Sequence, residues 1–181
     1  MSTHPDAQRM VTFWRAAGRQ AWFAKDDAFD RRLRDEFLEL HMACARREND
    51  AWMETAEGAL ALILLLDQFP RNAFRGTGHM FATDPLARHY ANQALATGLD
   101  QQIDDDLRVF AYLPFEHSEA LDDQLKSVAL HTPLGGDWMP HAIKHRDIIE
   151  QFGRFPHRNA ALGRETTPEE QAFLNAGGFA G

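Results

Sequence analysis

The sequence predicts an all-α fold of about eight helices in consecutive antiparallel hairpins. Apolar residues recur at steps of three and four along most of the chain, and stretches that alternate apolar with polar residues are almost absent. Each periodic run is bracketed by residues that start or stop a helix, and the connections are short and polar. Hairpins are the economical way to bury many helices that are apolar on one side only.

Pro5 suits the first position of a helix that carries Met10, Val11, Phe13 and Trp14. Asp26 or Asp27 starts a second helix, whose buried face is Phe29, Leu33, Phe37, Leu40 and Cys44. Thr55 caps a third, Ala56 to Gln68, and Pro70 ends it. Asp84-Pro85 reads as a cap followed by proline, with Leu86, Tyr90 and Ala94 continuing to a stop at Gly98. A short helix is expected from Asp106 to Ala111, and another beyond Pro114 with Leu121, Leu125 and Val128 as its apolar face. Asp137 caps the next, with Ala142, Arg146, Ile149 and Phe152 along one side and Gly153 at its end. Thr167-Pro168-Glu169-Glu170 is a capping box that starts a last helix. The tryptophans and phenylalanines are assigned to packing. Gly135-Gly136 and the tail from Ala176 to Gly181 are the expected mobile spots.

With 181 residues, 44% hydrophobic and 25% charged, the chain has the composition of one globular domain spanning residues 1–181. A net charge of −8 without a basic stripe argues against nucleic-acid partners. The longest apolar run, Ala59 to Leu66, falls far short of the roughly 20 residues needed to cross a bilayer, so no membrane partner is expected. The first residues show no basic region followed by an apolar stretch, which predicts no secretory signal and a cytoplasmic protein. The single cysteine, Cys44, sits among Leu40, Met42, Ala43 and Ala45 and is expected to be a core thiol.

One short phrase occurs twice. Asp67-Gln68-Phe69-Pro70-Arg71-Asn72 closes one apolar run, and Gly153-Arg154-Phe155-Pro156-His157-Arg158-Asn159 closes another. Long side chains cost rotamer entropy to order, so these connectors must be held by helix ends or by a ligand. A third string, Tyr112-Leu113-Pro114-Phe115-Glu116-His117-Ser118-Glu119, gathers titratable groups beside a proline.

These three strings, with Phe74-Arg75-Gly76, His145-Arg146-Asp147-Ile148-Ile149 and Leu162-Gly163-Arg164, are similar to the hallmarks of the bacterial DUF924 family. The resemblance runs from the Phe13-Trp14 region to the Thr167 capping box. It implies a helical fold with a tetratricopeptide-like (TPR-like) array of helix hairpins, and it implies no activity.

The residues themselves suggest chemistry. Arg71, Arg75, Arg154, Arg158 and Arg164 are concentrated in two segments of an acidic protein, and guanidinium forks bind carboxylates, phosphates or exposed helix carbonyls. Asp67 follows a long apolar run and needs a partner, with Arg71, Arg75, Arg154 and Arg158 as the options and Pro70 arguing against the near two. Glu116 beside His117 matches an imidazole fixed by a carboxylate, which serves a general base and a buried structural histidine equally well. Ser118 lies in no nucleophile motif and reads as a helix cap. His141 and His145 have the spacing of metal-sharing histidines, but the accompanying glutamate is missing, so no metal is assigned. No phosphate loop, dinucleotide fingerprint or Cys-x-x-Cys occurs, and no cofactor is assigned.

Two functional readings are open. The first is a site for an anionic small molecule, bound by Arg71, Asn72, Arg154, His157, Arg158 and Asn159, with His117, Glu116 and His145 as catalytic candidates. The second is a TPR-like scaffold that binds a peptide or protein, the phrases serving structure. A purely structural role for the phrases is the third option.

Overall fold

The computed structural model describes residues 2–179, whose regular elements are all helices, with no strand among them. No helix among them is long and apolar enough to cross a membrane. The chain divides into two compact units: the described parts of Met1–Arg75 with His79–Pro114, and of Gly76–Gly78 with Phe115–Gly181.

The first unit contains helices α1 (Pro5–Trp22), α2 (Asp27–Ala45), α3 (Ala56–Ile63), α4 (Phe69–Ala73) and α5 (Asp84–Thr97). Local chemistry sets most of their ends. Asp26 accepts the N–H groups of Ala28 and Phe29 at the start of α2, and Thr55 accepts that of Gly58 at the start of α3. Helix α1 breaks at Gly18, whose φ of 76° and ψ of 167° only glycine adopts readily. The Trp22 indole N–H then donates to the Trp14 carbonyl at 2.6 Å, so one aromatic side chain closes the break. The expected core face of α2 is present, with Leu33, Phe37 and Cys44 buried and Phe29 and Leu40 partly so. Burial pushes the Cys44 thiol up to about 11, which leaves it protonated and inert.

Helix α3 is apolar all round and therefore buried all round, from Gly58 to Ile63. It is the axis of this unit: α1 and α5 both pack on it, while α2 packs on α4 and the turn that leads to it. These principal pairings skip a neighbour in sequence. They differ from the consecutive hairpins expected, because a helix with no polar side cannot be half of a two-layer pair.

Pro70 does not end this helix. Leu64–Gln68 widens into a π-turn, in which the Phe69 N–H reaches the Leu64 carbonyl, and the chain stays helical as α4 to Ala73. Proline cannot serve a carbonyl in the turn below, and side chains replace it. His41 Nδ1 meets Leu65 O at 2.8 Å, Thr83 donates to Leu66 O at 2.5 Å, Arg71 to Asp67 O at 2.7 Å and Asn72 to Gln68 O at 2.9 Å. Thr83 rather than Asp84 holds the cap position of α5, and its hydroxyl is turned to Leu66 instead of its own helix. Helix α5 stops at Gly98, as expected, and Arg108–Ala111 is a single 3₁₀ turn.

The chain passes to the second unit within the short helix α6 (Leu113–Glu116), followed by α7 (Leu121–His131), α8 (Trp138–Phe152) and α9 (Pro168–Asn175). Helices α7 and α8 form a consecutive packed pair. Here the expected face of α7 is reversed. Leu121 and Leu125 are 43% and 49% exposed, whereas Gln124, Ser127 and His131 are buried. The inward face is polar because it serves the end of α6, where Gln124 Nε2 donates to Glu116 O at 2.7 Å and Ser118 O at 2.6 Å. Ala120, not Ser118, stands at the cap of α7; the Ser118 hydroxyl accepts Ala120 N–H and donates to Asp123. Gly153 ends α8, and Thr167 with Glu170 forms the capping box of α9.

Of the tail expected to be mobile, residues 176–178 are bonded back to α9 through their backbone N–H groups. Gly177 N–H reaches Leu174 O, and Gly178 N–H reaches Phe173 O. The last residues of that tail, 180–181, lie outside the described residues.

Candidate functional site

The two copies of the phrase belong to different units, and each has a local explanation. In the first, Arg71 forks onto Asp84 at 2.8 and 3.0 Å and stands 3.3 Å from an Asp67 oxygen. Burial works against this guanidinium, but Asp67 and Asp84 more than offset it and its pKa is raised. Asp67 also accepts from Gln68 at 2.6 Å, so the carboxylate that the sequence left in search of a partner is held within its own turn. Pro70 does not prevent this, because the backbone stays helical around it. Asn72 bridges Gln68 O and Arg75, and Arg75 forks onto Asp30. Arg71 and Asn72, expected as ligand contacts, therefore direct their donors at a helix end.

The second copy is divided between two tasks. Arg154 forks onto Glu170 at 2.5 and 2.8 Å and reaches Glu165 O, while Asn159 donates to Glu170 at 3.1 Å. Arg154 is the main cause that holds the Glu170 carboxyl down at about 2. Arg164 forks onto Glu119 at 2.8 and 3.0 Å, and Glu119 also accepts the Phe155 N–H at 2.8 Å. Burial opposes the Glu119 charge, but Arg164 and Phe155 N–H overcome it and its pKa lies below the usual range. Arg154 and Asn159 thus clamp the turn after α8 onto α9, while Arg164 ties the same turn to Glu119, ahead of α7.

His157 and Arg158 do something else. Phe155, fully buried, forms a wedge: the Arg158 guanidinium lies over its ring at 4.5 Å, and His145 and His157 approach it at 5.5 and 5.6 Å. His145 in turn brings its Nδ1 to 3.2 Å from Glu116 Oε1. On the other side of that carboxylate, His131 Nε2 lies 3.6 Å from Oε2. Glu116, His131, His145 and Arg158 are all at most 6% exposed, and His117 and His157 are half-buried. His117 lies within electrostatic reach of both His131 and His145.

The hydrogen-bond partners assign the tautomers. His145 Nδ1 meets His141 O at 2.8 Å and His131 Nδ1 meets Ser127 O at 2.8 Å, so both rings carry their hydrogen on Nδ1. Burial pushes the pKa of His145 down to about 3 and lowers that of His131. A neutral His131 then presents an Nε2 lone pair to Glu116 Oε2. The cluster gathers one buried carboxyl and two buried imidazoles, with the half-buried His117 and His157 in the same unit. His141, exposed, contributes its carbonyl and not its ring. No group of three metal-ligating side chains is found among the described residues.

The structure brings His117, Glu116, His145, His157 and Arg158 together in one unit, and it adds His131. The sequence carried a signal for His131: Gln124, Ser127 and His131 recur at steps of three and four as a polar stripe. An open cavity of about 530 Å³ lies elsewhere in this unit, against the Arg154–Glu170 clamp. Glu169 and Glu170 line it, so it does not suit an anion.

Comparison with known proteins identifies relatives over nearly the whole chain. The model of a family described as bacterial protein of unknown function, DUF924, matches residues 10–178. No curated protein matches. A solved structure of a protein of unknown function, ATU0120 from Agrobacterium tumefaciens, is similar at 57% identity with a TM-score of 0.92. The match covers 94% of this chain and 97% of that one. With the family model spanning the π-turn phrase, the Glu116 cluster and the capping box of α9, the chain belongs to the DUF924 family.

Proposed function

We propose that the second unit binds a small anionic molecule at the Glu116 cluster, with His117 and His157 as its outer contacts and Arg158 as the source of positive charge. In this reading Glu116, His145 and His131 act as a proton store behind the ligand, and His117 passes the proton to it. No reaction class is assigned. The observation that supports this reading is the burial of a carboxyl, two imidazoles and a guanidinium drawn from α6, α7, α8 and the turn after α8. Burying ionisable groups costs several kcal/mol each unless they are paired, and apolar side chains would close the same space without that cost. Perturbed ionisable groups gathered in this way are the usual mark of a working site.

A thermal-shift series with inorganic phosphate, acetate and di- and tricarboxylates tests it. A ligand at about 100 times its dissociation constant adds roughly 2.7 kcal/mol, a readable shift. One class of anion is expected to raise the melting temperature of the wild type and not that of Arg158→Ala. If no anion shifts the wild type while Arg158→Ala itself melts early, Arg158 serves packing alone and the reading fails.

A further inference from the structure

One aromatic ring beside the proposed site comes from the residues that follow α9. Phe179 meets the ring of His145 edge-on at 4.6 Å and that of His157 at 5.1 Å. The Lys144 ammonium stands 5.2 Å from its centroid. Phe179 also touches the small apolar cluster of Ile148, Ile149 and Phe155, yet it is only partly buried. One side of the ring thus rests on apolar side chains, while its polar neighbours are two imidazoles of the site and a cation, a mixed lining of the kind that receives a ligand ring.

The placement is specified by sequence. Helix α9 closes with paired bonds, Gly178 N–H to Phe173 O at 3.0 Å and Gly177 N–H to Leu174 O at 3.2 Å. Gly177 takes the left-handed φ of 80° that this closure requires. Gly178 lies so close to Phe173 that an added Cβ would meet its carbonyl oxygen and ring at 2.6 Å. Both glycines turn the chain so that the next residue, Phe179, falls on His145 and His157.

We propose that Phe179 occupies, in cis, an aryl subsite of the anion-binding site, and that the ligand is an aromatic acid whose ring displaces it. The ring would lie between His145, His157 and Lys144, and the acid group would face the positive side of the cluster set by Arg158. This rests on the anion-binding reading and adds the ligand class to it. It makes the tail a plug that a ligand must move.

Phenylpropionate and acetate, titrated separately and followed through the imidazole signals of the histidines by NMR, test the proposal. Phenylpropionate is expected to bind Phe179→Ala at least about tenfold more tightly than wild type, while acetate binds the two alike. Gly178→Val displaces the tail and leaves the ring's chemistry intact, and the same gain is expected there. Melting curves of both variants establish that they are folded. If phenylpropionate binds no better than acetate in either variant, the aryl subsite is overturned and the anion site stands. If neither acid perturbs the histidines of any protein, the anion site fails and the subsite with it. Loss of stability in Phe179→Ala, with no gain in affinity in Gly178→Val, assigns the ring to packing and also overturns the proposal.

Discussion

Thr83 donates its hydroxyl to the Leu66 carbonyl at 2.5 Å, across seventeen residues of chain, and takes the place of a hydrogen bond that Pro70 deletes. In an α-helix the N–H of residue 70 would serve the carbonyl of residue 66. A threonine at the start of one helix thereby completes the end of another. The phrase that looked like a helix terminator is a helix continued by borrowed donors.

This relationship predicts coupling. Thr83→Val keeps the shape and removes the donor, and is expected to cost about 1–3 kcal/mol by leaving a buried carbonyl unsatisfied. In a Pro70→Ala background, where a backbone N–H is restored, the same change is expected to cost about 1 kcal/mol less. Urea melts of the two single variants and the double variant measure this, and additive effects would mean that Thr83 does not stand in for Pro70.

His145 predicts acid sensitivity. The unfolded chain takes up a proton at this residue near pH 6.5, whereas the folded chain refuses it until about 3. Between those values the unfolded state binds more protons, so stability falls as pH falls and is fully present above 6.5. His41 and His131 are shifted in the same direction by burial. His145→Gln is expected to flatten the pH dependence by about 1.4 kcal/mol per pH unit in that interval. Denaturation midpoints across the range, wild type against variant, give the slope directly.

Glu170 predicts a second acid step, at lower pH. Its folded pKa of about 2 lies below the ordinary 4.5, so the stability it contributes is present above 4.5 and is lost as pH falls towards 2. Glu170→Gln is expected to melt earlier than wild type at neutral pH and to lose part of the wild type's acid dependence in that window. Arg154→Met, which removes the partner, is expected to shift the same step. An unchanged acid limb in both variants would separate the clamp from stability.

Helix boundaries were legible in the sequence because their causes are local. Asp26, Thr55 and the Thr167–Glu170 box each act on N–H groups two or three residues away, and Gly98 and Gly153 act where they stand. The direction in which a helix turns its faces was not legible, because it depends on the neighbours it meets. Periodicity marks α7 as amphipathic, but its polar side turned inward because Glu116 and the carbonyls behind it needed partners. Pro70 carries the signal of a stop because the donors that rescue its helix, His41 on α2 and Thr83 at the cap of α5, are distant in sequence.

The candidate site divides in the same way. Glu116, His117, His157 and Arg158 stood out in the sequence as titratable groups beside prolines, and His145 through its spacing from His141. Neither signal showed that neighbours within one string separate, Arg154 and Asn159 to the α9 clamp and His157 and Arg158 to the cluster. His157 and Arg158 share the 3₁₀ turn, whereas Arg154 and Asn159 flank it, and only the packing decides which of them meets the cluster.

Four successive carbonyls, from Leu65 to Gln68, are each met by a different side chain. Such a lock tolerates a change of residue far better than a change of length. Deleting or inserting one residue between 64 and 73 would rotate the downstream part of the helix by about 100° and carry Arg71 and Asn72 away from the oxygens they serve. Relatives of this protein should therefore vary in the loops on either side of this segment while the segment itself keeps its residue count.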